Sequence, residues 1–241
     1  MSAKGGVTVG AQKSWKQVKA LGLPSALYIG KLDEEHADFF KTYESCREIF
    51  GNTVAPVVIP ITENGTNTGI INIITKKAFT SKNHDITEIP FPASMEDKVA
   101  ELRDNLAEAV AETDDELMMK YFDGEEFTEE EFFNGLASGV ASGKVSPVFC
   151  GSAFTGLGDY ALLDGIVNLF PSPDKGLSEI EIVDNEEKEF KLNPDGAPVA
   201  FIFKTVADQY GTRSFFKVLS GKVTGDMSLV NTTTGTTEKF G

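Results

Sequence analysis

The sequence predicts an α/β core that is interrupted by an α+β insertion and followed by an all-β segment. Three observations lead there. Two short, nearly all-apolar runs, Ala26-Leu27-Tyr28-Ile29 and Pro147-Val148-Phe149-Cys150, each precede a helical stripe, as strands buried on both faces of a parallel sheet do. Between them lies a stretch of different texture, first β-branched and then acidic and helical. Beyond Pro171 and Pro173 the helical period gives way to period-two alternation at Val199, Phe201 and Phe203.

The elements follow in order. Trp15, Val18 and Leu21 sit at helical spacing, and Gly22 and Pro24 stop that helix. The first apolar run follows. Phe39, Tyr43, Cys46 and Phe50 form the next helical stripe, with Gly51 at its C-terminal cap. Residues 54–61 and 69–74 are rich in β-branched side chains and flank Asn64-Gly65, which predicts a hairpin. Three acidic helices come next. Ser94 precedes Asp97, Thr113 precedes Glu116 and Thr128 precedes Glu131, each the hydroxyl-to-carboxylate spacing of a capping box. Gly143 ends the third helix. After the second apolar run, Tyr160, Leu163, Ile166, Val167 and Phe170 predict an amphipathic helix. Residues 172–196 read as a charged linker with some local structure, and 214–219 and 228–232 as further strands.

Composition narrows the function. Of 241 residues 41% are apolar and 24% charged, as in globular proteins, and no apolar run approaches the roughly 18 residues that span a bilayer. No membrane partner is expected, and the N-terminus carries no apolar targeting stretch. Cys46 and Cys150 match no metal-ligand spacing and fit a reducing, cytoplasmic setting as buried thiols. A net charge of −15 argues against binding nucleic acid through phosphate contacts. The acid is concentrated: residues 94–131 hold fifteen Asp or Glu against three Lys or Arg. That density is either a solvated helix surface or a docking face for a basic partner. Asp114-Asp115 could suggest a carboxylate pair, but neighbours on a helix point apart, and capping accounts for them.

The residues placed for ligand chemistry follow the two apolar runs. In open α/β sheets ligands bind beyond the carboxyl ends of strands. Asp33 stands there, in Gly30-Lys31-Leu32-Asp33, and its carboxylate can accept both N1–H and N2–H₂ of guanine, a donor pair that adenine lacks. The stem of Lys31 can lie over a base plane. Ser152 and Ala153 follow the second run, where small residues let backbone N–H groups approach a carbonyl oxygen. An exposed turn without a ligand is the other reading of each loop. No catalytic residue and no metal ligand stands out.

The segment Gly30-Lys31-Leu32-Asp33-Glu34-Glu35-His36-Ala37-Asp38-Phe39 resembles the base-reading loop of elongation factor G, whose pattern is Asn-Lys-x-Asp. Cys150-Gly151-Ser152-Ala153-Phe154 resembles that family's second base-reading loop, and Leu169-Phe170-Pro171-Ser172-Pro173 the close of its GTPase domain. Ser220-Gly221-Lys222-Val223-Thr224-Gly225-Asp226 resembles a strand-turn of its β-barrel domain II. The resemblance is collinear over nearly the whole chain. It implies the C-terminal half of a P-loop GTPase-type parallel sheet at 1–50 and 145–172, and a G-prime insertion at 51–144. A linker at 173–196 and part of the barrel domain II at 197–241 complete the order.

By the same resemblance Asp33 reads guanine, Lys31 packs on it, and Ser152 and Ala153 contact its carbonyl. The parent binds GTP or GDP with Mg²⁺ and works on the ribosome in translocation or recycling. The acidic insertion faces the stalk protein, and the barrel meets the small subunit. Two departures stand against the pattern. Gly30 replaces the family's Asn, and Gly-x-x-x-x-Gly-Lys-Ser/Thr does not occur. Without that loop nothing cradles phosphates or places Mg²⁺, so this chain alone is expected to bind no nucleotide and to hydrolyse none. The alternative is a non-enzymatic acidic ribosome-docking module with a vestigial nucleotide site. The first strand is expected to lack a neighbour, which predicts self-association through its edge or disorder before Ala11.

Overall fold

The structure is a computed structural model that describes residues 1–63, 65–82, 84–175, 178–209 and 211–240. The chain divides into one unit at Met1–Pro171 and another at Ser172–Gly241. The fold is mixed α/β, with one parallel sheet and several antiparallel ones.

Helix α1, Val9–Ala20, starts where the Thr8 side chain accepts the Ala11 N–H, and α2, Phe39–Phe50, where Asp38 accepts that of Lys41. The strands β1, Leu27–Ile29, β2, Val54–Pro56, and β7, Ser146–Cys150, form a parallel sheet in the order β1-β7-β2. All five residues of β7 are buried, as the apolar run requires. Pro147 survives in this central strand because of parity. Ser146 donates to Thr53 and Gly151 to Ile29, so odd-numbered amides face the β1 side. There β1 begins only at Leu27, opposite Val148, and the missing amide costs no ladder bond.

The run 54–61 is not one strand. Its first three residues join the parallel sheet, and after Val57 the chain enters β3, Val58–Glu63, of an antiparallel meander. The meander continues through β4, Thr66–Asn72, β5, Lys77–Lys82, and β6, Asp85–Ile89. Of the expected Asn64-Gly65 turn, Asn64 lies outside the described residues, and Gly65 has φ +77°. The hairpin of β5 and β6 has no clear period in sequence; β6 is almost wholly exposed.

Helices α3, Glu96–Ala111, α4, Asp115–Phe122, and α5, Glu129–Ala141, follow. Only Thr128 and Glu131 form the expected capping box. Helix α4 is capped by Asp114, while the Thr113 hydroxyl donates back to Val110; α3 grows from a 3-10 turn at Ala93–Met95 without a side-chain cap. In α6, Asp159–Leu169, the expected apolar stripe faces outward: Val167 is 79% exposed and Leu163 56%. The buried positions are Gly165 and Leu169. A Cβ on Gly165 would lie 2.3 Å from the Phe149 ring, so the helix meets β7 through its smallest residue.

The edge of β1 is not free at its carboxyl end. Gly30 N–H donates to Met1 O at 2.8 Å and Ala3 N–H to Gly30 O at 2.9 Å. Ala3 O in turn accepts from Asp38 N–H and the Thr42 hydroxyl. The backbone groups on which self-association was to rest are thus paired at Gly30, and residues 1–10 lead in order into α1.

The second unit holds a 3-10 turn at Pro173–Lys175 and three antiparallel ribbons. These pair β8, Glu179–Val183, with β9, Glu186–Phe190; β10, Val199–Asp208, with β11, Gly211–Ser220; and β12, Ser228–Val230, with β13, Thr237–Lys239. Asp184 and Asn185 both have positive φ, the conformation of a tight two-residue hairpin turn, so the stretch read as linker carries a hairpin. The Ser220 hydroxyl and the Gly221 N–H both donate to Asn193 O. Gly221 has φ +61°, and a Cβ there would strike Gly196 O at 2.5 Å, which requires glycine. Among the described residues every buried apolar side chain lies in the first unit. No described helix is long and apolar enough to cross a membrane.

Candidate nucleotide-base site

The site is built from two loops that leave neighbouring parallel strands on the same side. The first leaves β1. Its anchor is Leu32, 3% exposed, which sinks into the core and turns Lys31 and Asp33 outward. Lys31 has φ +64°, which makes the turn after the strand tight. Its ammonium pairs with Glu34 at 2.7 Å; this contact and the charge of Glu34 raise its pKa. The Lys31 stem therefore remains available to a base face, while its charge is engaged within the loop.

The second loop leaves β7. Ser152 N–H donates to Leu157 O at 2.7 Å, and Ser152 O accepts from Thr155 and Gly156. These bonds close the loop into a compact turn. Gly151 and Gly158 allow it: a Cβ on Gly151 would sit 2.2 Å from Leu157 O, and one on Gly158 2.1 Å from Cys150 O. Ala153 is exposed at the turn, and its backbone N–H has no protein acceptor among the described residues.

The two loops meet. Leu32 N–H donates to Gly151 O at 3.2 Å, and the Ser152 hydroxyl donates to an Asp33 carboxylate oxygen. Asp33 is exposed and Ser152 is 1% exposed, so a buried hydroxyl aims an outward-facing carboxylate. The remaining Asp33 acceptor sites and the Ala153 N–H can take a flat ligand with adjacent N–H donors and a carbonyl. Lys31, Asp33, Ser152 and Ala153 are thus gathered in one place, and Asp33 and Ser152 touch.

Tyr28 gives no signal in the sequence as a site residue. Its ring lies along Gly30, where a Cβ would be 2.8 Å from Cε1, and its hydroxyl would be 2.6 Å from a Cβ on Gly151. The hydroxyl is shielded from solvent and makes no hydrogen bond of ordinary geometry. Burial raises the phenol pKa well above its usual value, and the nearby carboxylate of Asp159 adds to the rise. Asn67, Ser81 and His84 from the antiparallel meander also reach the loops.

Cys46 and Cys150 are free and buried; burial pushes Cys46 up to about 11 and Cys150 well above the usual thiol value. No group of three or more His, Cys, Asp or Glu among the described residues could hold a metal ion. Two grooves are lined mainly by other residues. One of about 640 Å³ is lined by Arg103, Tyr121 and Phe127, the other of about 440 Å³ by Phe79, Phe149 and Leu157. Neither is lined by Lys31, Asp33, Ser152 or Ala153.

Residues 1–172 match the family of the elongation factor Tu GTP binding domain. The chain belongs to this family. Both loops of the candidate site fall inside the matched region. The whole chain also matches a crystal structure of a protein from Thermus thermophilus, with 28% sequence identity and a TM-score of 0.78. That match covers 100% of this chain and 34% of the Thermus chain, so the present chain spans about a third of that protein's length.

Proposed function

We propose that the chain is the guanine-reading part of a translational GTPase of the elongation factor G type, acting in ribosomal translocation or recycling in the cytoplasm. The observation that carries this is the contact of Asp33 with Ser152 across two loops that follow adjacent parallel strands. In this reading Asp33 accepts N1–H and N2–H₂ of guanine, Ser152 holds the carboxylate in the base plane, and Ala153 N–H meets the guanine carbonyl. The Lys31 stem covers the ring. Adenine would leave the Asp33 carboxylate without donors, which is the basis of selection. Segments 1–50 and 145–172, together with β2 of the parallel sheet, make up half of the GTPase domain, the remainder of 51–144 the G-prime insertion, 173–196 a linker and 197–241 part of domain II.

The residues present fit a guanine base. The sequence carries no Gly-x-x-x-x-Gly-Lys-Ser/Thr motif to cradle phosphates. GTP or GDP with Mg²⁺ is the ligand that the family implies, and no hydrolytic step is assigned to the residues of this chain.

The acidic insertion is the docking face for a ribosomal partner, the stalk protein by resemblance. All three basic residues of the stretch 94–131 are engaged internally. Lys98 pairs with Glu101 at 2.9 Å, Lys120 with Glu131 at 2.8 Å, and Arg103 donates to the carbonyls of Ile73 and Ile74. The outward charge of the stretch is therefore nearly all negative, which suits a basic partner. An acidic docking module with a vestigial base site is the second reading, prompted by the departure from the Asn pattern at Gly30.

The test is to titrate the chain with guanosine and adenosine, following amide signals of both loops by NMR, beside calorimetry of GDP and ADP with a protein extended upstream through a phosphate loop. Without phosphate anchoring, guanosine binding is expected on the order of millimolar, about −4 kcal/mol. Asp33→Asn is expected to abolish the preference for guanosine. Equal binding of both nucleosides, or no binding in either protein, would refute base reading and leave the docking module.

A further inference from the structure

The inserted sheet reaches both base loops, each time through a side chain. In β4, Asn67 donates from Nδ2 to Leu32 O at 2.8 Å. A carbonyl only accepts, so the amide nitrogen must face the loop. The Asn67 Oδ1 accepts from the Thr62 hydroxyl at 2.8 Å, across the β3–β4 pair in which the two residues are partners. The amide is therefore held at both ends. Leu32 stands between Lys31 and Asp33, and both of its peptide groups are now tied. Its N–H goes to Gly151 of the second loop, and its C=O, in the peptide that begins Asp33, goes to the insertion.

The second contact comes from the hairpin of β5 and β6. The Ser81 hydroxyl donates to Thr155 O at 3.2 Å. Next to it the ring of His84 lies against Gly156: a Cβ there would be 2.4 Å from Nδ1. Thr155 and Gly156 donate to Ser152 O, and Ser152 holds Asp33. One meander thus grips the first loop at Leu32 and the second at Thr155 and Gly156, on the two sides of the Asp33–Ser152 contact.

We propose that Asn67 and Ser81 are positioning residues that set the geometry of both base-reading loops from the inserted sheet, so that guanine affinity is tuned through the insertion. The inference rests on the guanine reading for its ligand, and on the hydrogen bonds alone for its mechanics. Neither side chain needs to touch the base. Each fixes one loop against a rigid sheet, and losing either lets Asp33 and Ser152 drift apart in the free protein. A partner that distorts the meander would loosen the base through the same two bonds.

The experiment uses the 241-residue chain and three variants, Asn67→Ala, Asn67→Asp and Ser81→Ala. Asn67→Asp keeps the size but cannot donate to Leu32 O. Two readouts are taken: amide hydrogen exchange of the ligand-free protein, and NMR titration with guanosine and with adenosine. One net hydrogen bond corresponds to about a two- to tenfold change in an equilibrium. Exchange of the Leu32 N–H is expected to rise about three- to tenfold in both Asn67 variants, and that of Thr155 and Gly156 in Ser81→Ala, with α3 and β7 unchanged. Guanosine is expected to bind about three- to tenfold more weakly to each variant, with adenosine unaffected. A uniform rise of exchange over the whole first unit would mean simple destabilisation and would overturn the proposal. Unchanged loop exchange would overturn it too, whatever the nucleosides do. If wild type binds guanosine and the variants bind it equally well, positioning is wrong and base reading stands. If wild type binds no guanosine, there is no guanine affinity in this chain to tune and the proposal falls, while calorimetry of the extended protein decides base reading.

Discussion

Gly30 is the position at which the resemblance to elongation factor G expects Asn, so replacing it is the sharpest perturbation of the base site. Gly30 is buried and its φ is not positive, so the backbone tolerates any residue, and the obstacle is space. A Cβ there would lie 2.8 Å from Tyr28 Cε1 and 3.3 Å from Cδ1. The ring cannot retreat far, because its hydroxyl end already lies close to Gly151 and its backbone is fixed between buried Leu27 and Ile29. Inserting heavy atoms into such a place costs about 1–3 kcal/mol. Loss of unfolded-state freedom from glycine returns about 0.4–1 kcal/mol. Gly30→Asn is therefore expected to destabilise the first unit by about 1–2 kcal/mol and to bind guanosine no better than wild type. Trp15, the single tryptophan, stacks on Phe50 at 4.6 Å and reports urea unfolding of that unit by fluorescence. Combining Gly30→Asn with Tyr28→Ala removes the ring from the new side chain, and the double variant is expected to be about 1–2 kcal/mol more stable than the two single costs together imply. A single variant as stable as wild type to within about 0.5 kcal/mol, or strict additivity in the double variant, would refute the view that Tyr28 fills the place of the missing Asn side chain.

Three further outcomes are expected. Tyr28→Phe keeps the ring and removes a buried hydroxyl without an ordinary partner, so urea unfolding should show no loss and up to about 1 kcal/mol of gain; a loss above that would reveal a partner. Arg103→Met keeps an unbranched apolar stem but removes the guanidinium, which lies 4.4 Å over the Phe132 ring and donates to the carbonyls of Ile73, Ile74 and Phe127. It should cost about 2–4 kcal/mol by circular dichroism in urea, and a cost below about 1 would refute the role. The Glu131 carboxyl is held down at about 2, by the hydrogen bond from Lys120 and then by that from Thr128 N–H. Its folded pKa lies below its ordinary value of 4.5, so its contribution is complete above about pH 4.5 and disappears as pH falls towards 2. Glu131→Gln should flatten the dependence of melting temperature on pH within that window and not above it.

The parts of the fold that were legible in sequence are those whose signal is local and one-sided. The runs at β1 and β7 read correctly because a strand covered on both faces admits little but apolar residues. The pattern failed where two solutions share one signature. Helix α6 carries apolar residues on both faces, so its period marks a helix without saying which face meets the sheet; the choice fell to Gly165, whose lack of a side chain lets Phe149 approach. Three hydroxyl-carboxylate pairs had the same spacing, yet only Thr128 caps. Asp114 offers the start of α4 a carboxylate that accepts from both Glu116 and Leu117, and it displaces Thr113. The run 54–61 was split because β2 has a parallel partner in β7, about 90 residues away, that no local pattern can announce.

The same distinction decides what of the base site could be read. Asp33 and Ser152 stand directly after their strands, and strand-then-loop order is visible in a linear sequence. What aims them is not. Asn67 lies 35 residues from Leu32, and Ser81 74 residues from Thr155, in strands with no motif. Tyr28 looked like one more apolar strand residue, although its ring is what makes glycine at 30 consistent with a packed site. Gly30 alone reads as a departure from the motif, whereas in the structure the place is filled by Tyr28, the backbone of Gly30 is paired with Met1 and Ala3, and Leu32 is tied on both sides. A motif departure reads as damage only while its neighbours are unknown. Here a departure from the motif is matched by an aromatic ring two residues earlier, and the loops are hydrogen-bonded by Asn67 and Ser81 of a meander that begins at Val58.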